Sequence, residues 1–287
     1  MASVAQDTAA LQDIETLVKT DVATVIAAEI TSQIISRPPF LTIPGVFNVR
    51  DIGQPTGTPP VRTNFLFRSG LISSINDAGK IKLASELGVK KVFDLRSAGE
   101  REKLGVPQIE GVDIWWLPPA QDPRPVVFSE FGAEDGGLNA MLDMYKDILI
   151  THVPVFKEVF GHIKDEADKP VLFHCAAGKD RTGVLTALIL RLAGCAPDII
   201  ARDYTLTRIG VEPARDIILK DLLSGMFTSD PAMQKGAAGL CSANYETMIR
   251  FLEDLEKNYQ DGAEGYVKSV LGFSDDDVVK IKKNLTA

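Results

Sequence analysis

Residues 171–183, VLFHCAAGKDRTG, constrain this chain more than any other stretch. Val171 to Phe173 read as a buried strand, and Thr182-Gly183-Val184 opens an apolar helix that runs to about Leu192. A short loop carrying Gly178 must therefore turn the chain from a strand's carboxyl end into a helix N-terminus. Backbone N–H groups of such a loop point inward, and the helix dipole adds partial positive charge behind them. The segment has to sit in an α/β architecture, and it favours both an anion and a thiolate. Cys175 is followed by five residues and then Arg181, a spacing that wraps the loop around a phosphate. The same field is expected to lower the pKa of Cys175 and make it a nucleophile near neutral pH.

Read alone, Cys-x5-Arg is a common match, and the plain alternative is a core cysteine with a solvated arginine. The flanking strand, Gly178 and the hydroxyl at Thr182 all fall where the chemistry needs them, which favours the functional reading. The formal net charge of −8 excludes a general nucleic-acid or anionic-membrane binder, since either needs a basic surface. An anionic substrate must then meet a local positive site, which the loop supplies. Three cysteines do not make a disulfide framework and suit a reducing compartment. Cys195 and Cys241 read as buried or incidental thiols, with a protective disulfide to Cys175 as the other use for either. The first twenty residues lack a basic leader region, and no apolar stretch reaches transmembrane length, so the reading is cytoplasmic. The histidines at 152, 162 and 174 are scattered, and no cluster has metal-ligand spacing, so neither a metal nor a cofactor is expected.

Along the chain, residues 8–36 are expected to form a helix, stopped by Arg37-Pro38-Pro39 and packed on the domain rather than over the site. Ile43 to Val49 and Phe65 to Phe67 read as short strands around a Gly/Pro/Thr-rich turn at 53–60. Asp77 to Leu87 reads as a helix closed by Gly88, and Val89 to Leu95 and Val112 to Leu117 as strands. Residues 118–137 form a long loop, and Leu138 to Ile150 and Val153 to Ala167 are helical. Alternating strands and helices give a central, mostly parallel sheet flanked by helices, an α/β sandwich. The rest is helical: 197–208, 212–226, 244–259 and a last stretch to 285. Residues 208–243 are expected to be a mobile lid or substrate-binding insertion, with an ordinary helical connection as the equal alternative. The domain reading is an N-terminal helical segment, 1–39, and a single catalytic domain, 40–287.

The segment His174 to Gly183, HCAAGKDRTG, resembles the active-site loop of cysteine-dependent protein tyrosine phosphatases, in the atypical branch with Gly-Lys-Asp-Arg. Further stretches are similar to that branch: Phe47 to Gly53 (FNVRDIG), Leu66 to Gly70 (LFRSG), Val92 to Arg96 (VFDLR), and the pattern from Phe251 through Tyr259 and Tyr266 to Ser274-Asp277. The likeness spans roughly residues 40–285. It implies a phosphomonoesterase acting on phosphotyrosine, and on phosphoserine/threonine and phosphoinositides as further substrates. A rhodanese-like sulfurtransferase and a non-catalytic phospho-ligand reader are the alternatives.

The resemblance assigns roles by position. Cys175 attacks phosphorus and forms a phospho-cysteine. The backbone of Ala176, Ala177, Gly178, Lys179, Asp180 and Arg181, with the Arg181 guanidinium, holds the equatorial oxygens, a fork that lysine cannot reproduce. Thr182 assists thiolate departure, or caps the helix, or both. His174 orients the loop. For the acid that protonates the leaving group, Asp180 is preferred over Asp122, which follows Trp116-Leu117-Pro118-Pro119 without the usual Trp-Pro-Asp order; Asp135 is a remote third. Asp94 is expected near the site or holding Arg96. Lys179 offers a second cation suited to multiply phosphorylated substrates, or is a solvated loop lysine. Arg50 and Arg68 either extend the basic lining or pair with carboxylates such as Asp51.

Overall fold

A computed structural model describes residues 14–54, 61–218 and 230–286. At its centre lies a five-stranded sheet in the order β1 (Arg50–Asp51), β2 (Leu66–Ser69), β5 (Val171–His174), β3 (Lys91–Asp94), β4 (Asp113–Trp115). Only β1 runs antiparallel to its neighbour. The sheet is therefore mostly parallel, and β5 sits in its middle with Phe173 level with Arg68 on one side and Phe93 on the other.

Alternation along the strands feeds two cores. Val171 and Phe173 join the larger one with Leu66 and Phe93, while Leu172 joins the smaller one with Phe67 and Val92. Both faces are covered, so these strands read as continuous apolar runs. The larger core is closed by α5 (Leu138–Thr151), α6 (Val153–Asp165), α7 (Asp180–Leu192) and the C-terminal helices α11 (Tyr245–Asn258), α12 (Ala263–Ser269) and α13 (Asp275–Thr286). The smaller core is covered by α2 (Asp77–Ile81), which continues as a π-helical turn over Lys82–Glu86 and ends at Gly88, φ +67°. Fully burying a side chain such as Phe173 contributes about 2–3 kcal/mol. Further helices are α1 (Ala28–Ile35), α3 (Ala98–Leu104), α4 (Phe128–Phe131), α8 (Pro197–Thr205), α9 (Thr207–Gly210) and α10 (Pro231–Cys241).

Several elements depart from the pattern-based reading. The single helix over 8–36 is broken: 14–17 are helical, 18–27 are not, and α1 resumes at Ala28. The break has a local cause, because the Asp21 carboxylate accepts from the Ala23 N–H at 2.7 Å and outcompetes helical bonding. Residues 8–13 lie outside the described residues. Ile43 to Val49 is not a strand: Pro44-Gly45 turns the chain, Gly45 has φ +84°, and Ile43 bridges Val46. The helix read over 197–208 ends at Thr205 and restarts as α9. That over 212–226 opens as a 3₁₀ turn at Glu212–Ala214. Residues 219–226 of that stretch, 219–229 of the proposed 208–243 insertion and 55–60 of the predicted turn lie outside the described residues. The rest of the insertion holds α10.

Candidate active site

Strand β5 ends at His174 and α7 begins at Asp180, so the turn between them lies at the carboxyl edge of the sheet's central strand. Its carbonyls are held from outside. The Leu71 N–H donates to Ala176 O at 2.9 Å, Asn48 Nδ2 to Ala177 O at 3.0 Å and Gly178 O at 3.3 Å, and Arg68 Nη2 to Gly178 O at 2.8 Å. In a trans peptide the next N–H points opposite to the carbonyl, so the N–H groups of 177, 178 and 179 face the other side, into the loop. Gly178 is required: its φ is +68°, and a Cβ there would lie 2.4 Å from Ser69 O.

The anchors form a buried unit behind the loop. Arg50 Nε donates to Asp203 Oδ1 at 3.1 Å and Arg68 Nη1 to Asp203 Oδ2 at 2.5 Å. Arg50 also donates to Asn48 Oδ1, which fixes the amide that holds Ala177 and Gly178. Burial favours the charged form of neither partner, yet the two guanidiniums outweigh it and keep Asp203 below the usual carboxylate range. Burial draws Arg50 down to about 9. Arg50 and Arg68 thus pair with Asp203, not Asp51, and neither lines the site; Asp51 instead accepts from the Gly53 and Asn64 N–H groups.

In front of the loop opens a cavity of about 840 Å³. Cys175, 2 % exposed, lines it, and Thr182 Oγ1 donates to its Sγ at 3.2 Å. Arg181 also lines it. Its Nη1 donates to Glu100 Oε2 at 2.5 Å and its Nη2 to Glu100 Oε1 at 2.7 Å, and Nη1 reaches Leu95 O at 3.3 Å. That leaves Nε without a protein partner among the described residues. Glu100 is a functional residue that the pattern reading missed. It also completes a capping box with Ser97 at the start of α3, so its carboxylate has a fixed place. Ser97 and Glu100, three apart and just after Asp94-Leu95-Arg96, are the signal that could have found it. Burial would raise its pKa, but the Arg181 bonds outweigh this and bring it down to about 2. Arg181 is correspondingly held above its ordinary value.

Asp180 lines the cavity beside Cys175, with Oδ1 accepting from Tyr145 Oη at 3.0 Å and lying 3.1 Å from Lys179 Nζ. Tyr204 Oη lies 2.6 Å from Tyr145 Oη and extends the chain inward. Oδ2 carries no protein hydrogen bond among the described residues. Lys179 is not a solvated lysine: it is 3 % exposed, and its ammonium meets Leu240 O, Ser242 O at 2.8 Å and Asp180. These three contacts match its three N–H donors, and they seat the C-terminus of α10 on the loop. Asp122 is exposed and does not line the cavity. Asp135 accepts from the Gly137 and Asn139 N–H groups at the entry to α5.

His174 is buried with Nδ1 3.2 Å from Cys175 O; burial lowers its pKa to about 4, so the ring is neutral at pH 7. Asp94 is fully buried and grips Arg96 at 2.8 and 2.9 Å and Arg101 at 3.0 Å, with His174 Nε2 3.7 Å away. A second histidine escaped the pattern reading: His152, whose Nε2 lies 3.3 Å from Leu95 O, the carbonyl that also accepts from Arg181. Burial and the Arg181 charge push it down to about 4. All three cysteines are free thiols. Cys195 is buried and pushed up to about 11 by burial, whereas Cys241 lines the same cavity as Cys175.

The profile of the tyrosine phosphatase family matches residues 41–287, which include the anion loop, Glu100 and every cavity-lining residue except Val22. The chain belongs to that family. A tyrosine-protein phosphatase of Nostoc commune is 32% identical over 228 residues, 76% of this chain and 73% of that protein. The triple specificity protein phosphatase PtpB of Mycobacterium tuberculosis is 30% identical over 198 residues, 60% of this chain and 71% of that protein. Among solved structures, the catalytic core of Siw14 aligns over 61% of this chain and 88% of its own, at 16% identity and a TM-score of 0.32. As a tyrosine phosphatase the chain is a phosphoric monoester hydrolase acting on phosphorylated substrates, which sets aside the sulfurtransferase reading. No described helix is long and apolar enough to cross a membrane.

Proposed function

We propose that this phosphatase hydrolyses phosphotyrosine through a phospho-cysteine on Cys175. The carrying observation is the position of Cys175, 2 % exposed within a cavity of about 840 Å³ whose walls include Leu71, Leu117, Met144, Ile148 and Val211. A phosphoryl group must be carried down to the sulfur past apolar surface, and a long aryl side chain does this better than a serine.

In the first step the Cys175 thiolate attacks phosphorus, the S–P bond forms and the P–O bond to tyrosine breaks. Arg181, held end-on by Glu100, offers Nε and the second N–H of Nη2 to two phosphoryl oxygens, and the inward N–H groups of the loop take the third. Asp180 gives a proton from Oδ2, the oxygen not engaged by Tyr145 and Lys179, to the departing phenolate. In the second step water attacks phosphorus, Asp180 removes its proton, and the Thr182 hydroxyl stabilises the returning thiolate.

The cations that line the cavity already face carboxylates: Arg96 faces Asp94, Arg124 faces Glu130 and Asp143, Lys179 faces Asp180, and Arg215 faces Glu212 and Asp216. A second phosphate gains little from them, so phosphoinositides are slower substrates, and phosphoserine is slower because its short side chain reaches the buried sulfur less well. The relative PtpB is a triple specificity protein phosphatase, which supports a substrate range wider than phosphotyrosine alone. Initial rates on phosphotyrosyl and phosphoseryl peptides and on phosphoinositides test the order. Faster turnover of a phosphoinositide than of phosphotyrosine contradicts it.

A further inference from the structure

The family match begins at residue 41, yet a residue well before it lines the cavity: Val22, 4 % exposed. The stretch around it is not helical, and its backbone is instead bound to α9 and the segment that follows it. Arg208 Nε donates to Thr20 O at 2.9 Å, and its Nη2 donates to Asp21 O at 3.2 Å and Thr24 O at 2.6 Å. The Arg208 side chain is 2 % exposed and pairs with Glu212, whose other oxygen accepts from the Ile26 N–H at 2.9 Å. Arg215 Nη1 reaches Val22 O at 3.2 Å. Nearby, Ile26 packs with Phe40, Leu206 and Ile209.

This attachment has a consequence for the cavity. Residues 211–218 supply Val211, Pro213, Ala214 and Ile217 to its wall, and Val22 lines the same space. Arg208 and Glu212 tie the two stretches together. Among the described residues, neither the anion loop nor Glu100 makes a hydrogen bond to residues 20–26.

We propose that residues 20–26 and 211–218 together form the wall that receives the apolar part of the substrate beyond its phosphoryl group, an aryl ring or similar flat apolar group. Val22 is then a specificity-determining residue and Arg208 the positioning residue that holds it. The inference rests on the phosphomonoesterase reading above, and it makes a segment outside the family match part of substrate selection.

The test uses the full chain with two separate substitutions, Val22→Ser and Arg208→Lys. Val22→Ser removes apolar contact; Arg208→Lys keeps the charge facing Glu212 and loses the planar fork. KM and kcat are measured on a phosphotyrosyl peptide, and inorganic phosphate is used as a competitive inhibitor that reads the loop alone. Loss of one apolar contact should raise KM about five- to tenfold in each variant. Both kcat and the phosphate inhibition constant should stay within about twofold of wild type. KM unchanged in a folded variant overturns the proposal, and so does a phosphate inhibition constant that rises in step with KM. If the wild type leaves the phosphotyrosyl peptide intact, the substrate reading fails on its own. The wall is then judged by the same comparison with p-nitrophenyl phosphate.

Discussion

Glu100 and Arg181 meet in a two-point ion pair, Oε2 to Nη1 at 2.5 Å and Oε1 to Nη2 at 2.7 Å, while the Ser97 N–H holds Oε2 at 2.8 Å. A carboxylate fixed by a helix cap therefore sets the plane of the guanidinium that faces Cys175. A planar fork binds a tetrahedral oxyanion well only when its plane is fixed in advance, because ordering it during the reaction adds to the barrier.

Glu100→Gln keeps the shape and removes the charge, so one N–H of Arg181 faces an amide. We expect kcat/KM to fall about 10- to 100-fold, roughly 1.4–2.8 kcal/mol of transition-state stabilisation. The loss should fall mainly on kcat, measured by steady-state kinetics on an aryl phosphate. An unchanged kcat would show that Arg181 needs no such partner.

Asp180 and Asp122 separate cleanly. Asp180→Asn should lower kcat about 10²- to 10⁴-fold on a phosphotyrosyl peptide and much less on an aryl phosphate with an acidic leaving group. Asp122→Asn should stay near wild type, since Asp122 is exposed and outside the cavity lining. The ratio of rates on the two substrates, measured for each variant across pH, is the readout. A selective loss in Asp122→Asn would transfer the acid role to it.

Stability should fall as pH drops from about 6.5 to about 4. His152 and His174 are both lowered from 6.5 to about 4 by burial, so the unfolded chain binds more protons than the native one in that window. The stabilisation is fully present above 6.5 and lost as pH falls to 4, by at most about 3 kcal/mol per histidine. Glu100 acts later: its contribution is present above 4.5 and lost as pH falls toward 2. Urea unfolding at pH 7.0, 5.5 and 4.0 measures the first step, and a flat profile would contradict the burial of both rings.

Gly178→Ala should disable the loop without touching a catalytic side chain. The added Cβ meets Ser69 O at 2.4 Å, and the φ of +68° is itself unfavourable for alanine. We expect a loss of at least 100-fold in kcat/KM with a smaller loss of stability, on the order of 1–3 kcal/mol. Thermal unfolding and kinetics on the same preparation separate the two effects.

The strand-loop-helix core was legible because every rule that governs it is local. An apolar run covered on both faces, a glycine at a positive φ and a helix start all leave marks within a few residues. Cys175, Thr182 and Arg181 were found for that reason. What the pattern missed depends on distance along the chain. Glu100 reaches Arg181 across 81 residues, and Asp203 binds Arg50 and Arg68 across 153 and 135 residues. Lys179 read as a second cation for the substrate, or a solvated loop lysine, because nothing nearby in sequence marks the α10 carbonyls, 61 and 63 residues away, that take its ammonium. The N-terminal apolar spacing was real, but Asp21 and Arg208 took the backbone groups that a continuous helix needs.

The central claim is that Cys175 carries the phosphoryl group. The most direct measurement is rapid acid quenching of the Asp180→Asn enzyme during turnover of p-nitrophenyl phosphate, followed by mass spectrometry of the peptide containing Cys175. Slowed hydrolysis should let the intermediate accumulate, so the account predicts one added phosphoryl group on Cys175, absent in Cys175→Ser. Full turnover by Cys175→Ser, with no phosphorylated peptide from the active enzyme, would contradict it.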